Sequence, residues 1–183
     1  GIPPTVRDAV LGRAARLSPA GRAALEAAAV IGARVEPWLL VIVADEAAAA
    51  TEECLALGVL RAEGELIAFR HELARETVLD AIPPLRRLRL HRAALDGLRA
   101  RTPNLDDPAR LAHHAEAVAD ATVVLATAPA AARRAAALGA HREAAAEYAR
   151  ALRSAADLPP TERAALLEAR AYECYLTDHL PAA

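Results

Sequence analysis

Apolar and polar positions along this chain follow helical spacing almost throughout, with one interruption. Around Gly58–Phe69, two short apolar runs flank the acidic, glycine-containing turn Glu63-Gly64-Glu65. That pattern predicts a β-hairpin with strands at about 59–62 and 66–69. Upstream, Thr5-Val6-Arg7-Asp8 resembles a capping box with Asp in place of Glu and predicts a helix to about Arg16. Ser18-Pro19 restarts the chain with an N-cap serine and a proline at the first helical position. The helix that follows is apolar nearly all round (Ala23-Ala24-Leu25, then Ala27 to Ile31) and is therefore expected to be buried. It stops at Gly32. Glu36-Pro37 opens a third helix, Trp38 to about Val43, and a fourth is predicted from about Asp45 to Leu57, capped by Gly58.

Beyond the hairpin, a helix from about His71 to Ala81 ends at Ile82-Pro83-Pro84, since a proline pair cannot continue it. Helices followed by one hairpin wing have the layout of a winged-helix domain, predicted over residues 1–82. Residues 83–183 read as antiparallel helices at about 85–101, 109–119, 122–138, 141–156 and 161–177, with a turn-rich link over 102–108. Leu138-Gly139, Ala144, Tyr148, Ala151 and Pro159 sit near tetratricopeptide spacing, and Ala182 would repeat the place of Ala144. The expected fold is mainly α: a winged helix with one β-hairpin, then a tetratricopeptide-like array. The array stops mid-repeat, so it is expected to continue in a longer parent protein.

Composition narrows this picture. Apolar residues make up 55% of the 183 and aromatics only 3%, so the core must be built from Ala, Leu and Val. All 22 basic residues are Arg, which with the abundant Ala points to a GC-rich genome such as an actinobacterium's. The net charge of −2 offers no global attraction for nucleic acid or an anionic membrane. Cys54 and Cys174 lie far apart in helical patterns, without zinc-site spacing or a disulfide framework. No apolar run reaches the length of a membrane span, no secretory signal is visible, and a reducing cytoplasm is the expected home.

No catalytic constellation is present: there is no GxxxxGK[ST] loop, GxSxG elbow or HExxH pair, so the chain is not expected to be an enzyme. Neighbouring helical positions diverge, so His113 and His114 are expected to pack or face solvent rather than share a metal. His91 falls in an apolar seam and reads as a core histidine. His71, at the exit of the hairpin, has two readings. It either begins a solvated helix with Arg70 and Glu72, or contacts an anionic ligand such as a phosphate, with Arg75 one turn further on the same face. Arg86, Arg87 and Arg89 form a locally basic run suited to an acidic partner, or to DNA phosphates. The fourth helix, which would read DNA in a winged helix, carries Asp45, Glu46, Thr51, Glu52 and Glu53. Its acidity favours a protein-interaction role.

Pro4-Thr5-Val6-Arg7-Asp8-Ala9-Val10, Arg16-Leu17-Ser18-Pro19, Ala28-Ala29-Val30-Ile31-Gly32, Leu66 through Leu73, Arg87 with Leu90-His91, and Leu111-Ala112-His113-His114-Ala115 occur in that order. Together they resemble the central region of large LuxR-type transcriptional regulators with an AAA/STAND-class ATPase. Similar regions occur in some ATPase-containing adenylate cyclases and kinases. The resemblance implies an upstream ATPase domain binding ATP or ADP, a winged helix, a helical sensor region for an unknown effector or partner, and a downstream helix-turn-helix. It further implies that His71, standing in Arg70-His71-Glu72 where related STAND proteins have Met-His-Asp, contacts the β-phosphate of ADP in the parent. The fragment itself is expected to hold no cofactor. The alternatives are a winged helix that binds DNA directly, and a scaffold whose helical groove takes a peptide.

Overall fold

The computed structural model describes residues 10–101 and 107–177. The capping box at Thr5–Asp8, most of the 102–108 link and the repeat position at Ala182 lie outside them. The fold is mainly α with one small antiparallel sheet. It divides into two units, one running to Gly97 and one from Leu98. The division falls inside a single helix rather than at Pro83-Pro84.

In the first unit, helical residues 10–14 (α1) precede α2 (Pro19–Ile31). The Ser18 hydroxyl accepts from the Gly21 N–H at 2.9 Å, the N-cap that the Ser-Pro pair predicts. Ala24, Leu25 and every residue from Ala27 to Ile31 are buried. This helix, apolar except for Arg22 and Glu26, is the centre of the unit, with α3 (Pro37–Ala44), α4 (Thr51–Ala56) and α5 (Glu72–Ala81) packed against it. Three strands follow the order β1 (Arg34–Val35), β3 (Leu66–Phe69), β2 (Leu60–Glu63). The hairpin β2–β3 pairs Leu60 with Phe69 and Glu63 with Leu66. Its two-residue loop begins with Gly64 at φ 62°, the conformation that lets such a loop follow the twist of the strands. The last helix of this unit, α6 (Pro84–Arg101), is an 18-residue element. Gly97 lets it close on α3: a Cβ there would lie 3.0 Å from Leu39 Cδ1 and 3.1 Å from Ile42 Cγ2.

Two local expectations are corrected here. The predicted fourth helix is a 3₁₀ segment, Asp45–Ala50, followed by the short α4. Asp45 takes a left-handed φ of 51°, which breaks the path out of α3. The Thr51 hydroxyl then donates to the Ala48 carbonyl at 2.6 Å, stabilising the tight turn. The second correction is β1, a third strand that the sequence reading does not contain. Two residues are too few to show alternation, and they become a strand only by pairing with Ala68 and Ile67.

In the second unit, α7 (Pro108–Ala117), α8 (Ala121–Ala137), α9 (His141–Arg153) and α10 (Pro160–Leu176) pack each on the next. Asp107 and Asp120 cap α7 and α8 through the N–H groups of Arg110 and Val123. Ala112, Ala128, Ala132, Ala144 and Ala151 are fully buried, so the helices approach closely. Tyr148 fills space among them at 7% exposure. The α7–α8 and α8–α9 turns are alike. Ala119 and Gly139 are left-handed at φ 56° and 74°, and the next N–H reaches back to Ala115 O or Ala135 O at 2.9 Å.

Candidate functional site

The hairpin delivers the chain to the one cluster of polar chemistry that the sequence singles out. Gly58, at φ 66°, ends the helical segment and turns the chain into β2. β3 returns beside it, and the Arg70 N–H donates to the Val59 carbonyl at 3.3 Å, closing the base of the hairpin. His71 follows in extended backbone (φ −144°, ψ 138°) as the N-cap residue of α5, with no capping bond from its side chain. Its carbonyl accepts from the Ala74 N–H at 3.0 Å, and the residue is exposed.

The two arginines expected to accompany His71 are held by the protein. Arg70 Nε donates to the Gly58 carbonyl at 3.2 Å. Arg75 Nε donates to Glu72 Oε1 at 2.8 Å, while Nη1 donates to the Ala29 carbonyl at 3.1 Å. Ala29 belongs to the last turn of α2, whose final carbonyls lack helical donors. A guanidinium there satisfies one of them and complements the negative end of the helix. Arg75 thus caps α2, and only His71 of the three keeps an uncommitted side chain among the described residues.

The basic run on α6 splits similarly. Arg86 forms an ion pair with Glu26 on α2, whereas Arg87 and Arg89 are exposed. Leu85 and Leu88 on the same helix are 75% and 44% exposed. His91 is buried, as a seam position predicts. On the second unit, His114 is fully buried and His113 exposed, their rings edge-on at 5.1 Å between centroids.

The acidic segment is only partly a surface. Asp45, Glu46 and Glu52 are exposed. Thr51 is buried, and Glu53 turns inward to accept from both the Ser18 hydroxyl (2.7 Å) and the Ser18 N–H (2.9 Å). These two bonds, the hydroxyl first, hold the Glu53 carboxyl below its ordinary value. Beside it, the Cys54 thiol donates to the Gly21 carbonyl at 3.3 Å and is pushed up to about 11 by burial and then by the Glu53 charge. Both cysteines are free thiols.

The outer face of the sheet is one arrangement that the sequence reading missed. Arg34 and Arg61 both stand opposite Ala68, so they share one cross-strand row and one face. Glu63 lies between them, 3.4 Å from Arg34 and 3.3 Å from Arg61. Alternation could place Arg61 and Glu63 together, but nothing local brings in Arg34.

No family model, no curated protein and no solved structure matches the chain. No helix among the described residues is long and apolar enough to cross a membrane.

Proposed function

We propose that this chain is the regulatory middle of an ATP-dependent, STAND-type LuxR-family transcriptional regulator. It would couple the nucleotide state of an upstream ATPase domain to an effector or partner on the helical region. The first unit serves as the winged helix and the second as the tetratricopeptide-like sensor. Besides the sequence resemblance, one observation supports this reading most. The hairpin exit presents His71, exposed and without a side-chain partner among the described residues, at the positive end of α5. An imidazole and a helix N-terminus together suit an anionic phosphate. Arg70 and Arg75, engaged elsewhere, act as the frame that holds this geometry rather than as phosphate ligands.

Coupling requires two states with different contacts, and a wing that touches nucleotide in one state supplies them. The chain itself is not proposed to hydrolyse ATP. In the full-length protein, His71→Ala is expected to weaken ADP retention by about tenfold or more, as loss of a charge-assisted contact does. ADP dissociation followed with a fluorescent analogue measures it, and an unchanged dissociation constant removes His71 from the site.

A direct DNA-binding role is the second reading, favoured by the Arg34–Arg61 row on the outer face of the wing. The exposed Asp45, Glu46 and Glu52 oppose it. A gel-shift titration at two salt concentrations separates the two, since phosphate contacts impose a steep salt dependence.

A further inference from the structure

We propose that the groove between α8 and α10 binds a small zwitterionic molecule with an apolar body, of the dipeptide class. The groove has a volume of about 330 Å³, at the small end of ligand sites. Leu125 and Pro129 of α8, Leu166 of α10 and the ring of Tyr148 make it largely apolar. Two charges interrupt that lining. Arg133 stands on the α8 wall and Glu162 on the α10 wall. Neither is in an ion pair among the described residues, and both are exposed.

This contrasts with other charges of the same unit, which neutralise one another. Arg150 holds Glu116 and Glu147, and Arg153 holds Glu116. An apolar groove with an uncommitted cation on one wall and an uncommitted anion on the other selects by charge. A purely anionic or cationic ligand meets one partner and one repulsion. A ligand with a carboxylate at one end and an ammonium at the other satisfies both.

The inference goes beyond the coupling role proposed above and is tested without nucleotide, so its failure leaves the His71 reading untouched. Calorimetric titration of the whole chain with leucyl-leucine is expected to show saturable one-to-one binding. N-acetyl-leucyl-leucinamide, which keeps the body and loses both charges, is expected to bind about tenfold more weakly or worse. Arg133→Gln and Glu162→Gln are each expected to weaken leucyl-leucine about tenfold and leave the blocked compound unaffected. Leucyl-leucinamide, which keeps only the ammonium, is expected to respond to Glu162→Gln alone. Both positions are exposed, and circular dichroism checks that each variant stays folded. No saturable binding of leucyl-leucine, phenylalanyl-leucine or alanyl-alanine overturns the proposal. So does equal affinity for the blocked compound, which would make the groove an apolar contact surface for a polypeptide.

Discussion

The Arg75 guanidinium donates to the Ala29 carbonyl, joining the first turns of α5 to the last turn of α2 across 46 residues of sequence. The residue expected to stand beside His71 as a phosphate ligand is instead what anchors the helix that carries His71. This separates two roles one turn apart. Arg75→Ala is expected to destabilise the first unit by about 1–2 kcal/mol, the loss of hydrogen bonds from a charged donor. His71→Ala, at an exposed position without side-chain bonds, is expected to change stability by no more than about 0.5 kcal/mol. Urea unfolding of both variants decides it, and equal destabilisation would contradict the assignment of Arg75 as the anchor.

Ser18 and Glu53 give the first unit a pH dependence with a definite sign. The Glu53 carboxyl is held below 4.5 in the folded state. Its contribution to stability is therefore present above the unfolded value and lost as the pH falls through the folded one. Ser18→Ala removes the hydroxyl that is the larger cause, along with the cap on Gly21. At neutral pH it is expected to cost about 1 kcal/mol through the cap. Its melting temperature should also fall less steeply than the parent's below pH 4.5. Melts at pH 7, 5, 4 and 3 measure both effects, and parallel curves would argue against the linkage.

The two similar turns of the second unit place different residues at the left-handed position. Ala119 adopts the left-handed conformation that Gly139 adopts in the next turn. A Cβ in that conformation costs roughly 1–2 kcal/mol. Ala119→Gly is accordingly expected to stabilise, by about 1 kcal/mol, and Gly139→Ala to destabilise by a similar amount. No heavy atom stands within 4 Å of a Cβ at Gly139, so the backbone alone sets the sign there. Thermal unfolding of the pair tests it, and shifts in the same direction would refute it.

Arg150, on α9, is the centre of the charge network of the second unit. Its Nε donates to Glu116 Oε2 at 2.9 Å, Nη1 pairs with Glu147, and Arg153 donates to the other oxygen of Glu116 at 2.8 Å. Burial pushes the Glu116 carboxyl up, and the bonds from Arg153 and Arg150 outweigh it, leaving the group low. Arg150→Met keeps the aliphatic stem, leaves Glu147 without its cation and leaves Glu116 to Arg153 alone. It is expected to cost about 2 kcal/mol at pH 7, and less at acid pH as Glu116, held low in the folded state, takes up its proton. A cost independent of pH would show that packing, not charge, is what Arg150 contributes.

Where the sequence could be read, its signals were local. Ser18-Pro19, Glu36-Pro37 and Pro83-Pro84 each mark a helix start, because a cap or a proline acts on its own backbone within one turn. The hairpin was legible for the same reason, two apolar runs and Gly64 sufficing to place β2 and β3. The same local reading drew Asp45–Leu57 as one helix. Four alanines and a run of acids satisfy helical propensity, and nothing nearby records that Asp45 turns left-handed. It also put Arg75 on the face of His71, since spacing gives direction but not the distant carbonyl that claims the side chain.

The sequence by itself therefore determined the mainly helical class, most helix starts, the hairpin, the largely apolar α2 and the place of His71 at the hairpin exit. These follow from backbone preferences and periodicity within a few residues. Only the tertiary structure decided which charges are spent inside the protein. Ser18 with Glu53, Arg75 with Ala29, Arg86 with Glu26, and the Arg34–Arg61 row over Ala68 all join positions tens of residues apart in sequence. Their partners are brought within reach by helix and strand packing, which depends on the whole apolar surface buried and not on any short stretch of chain.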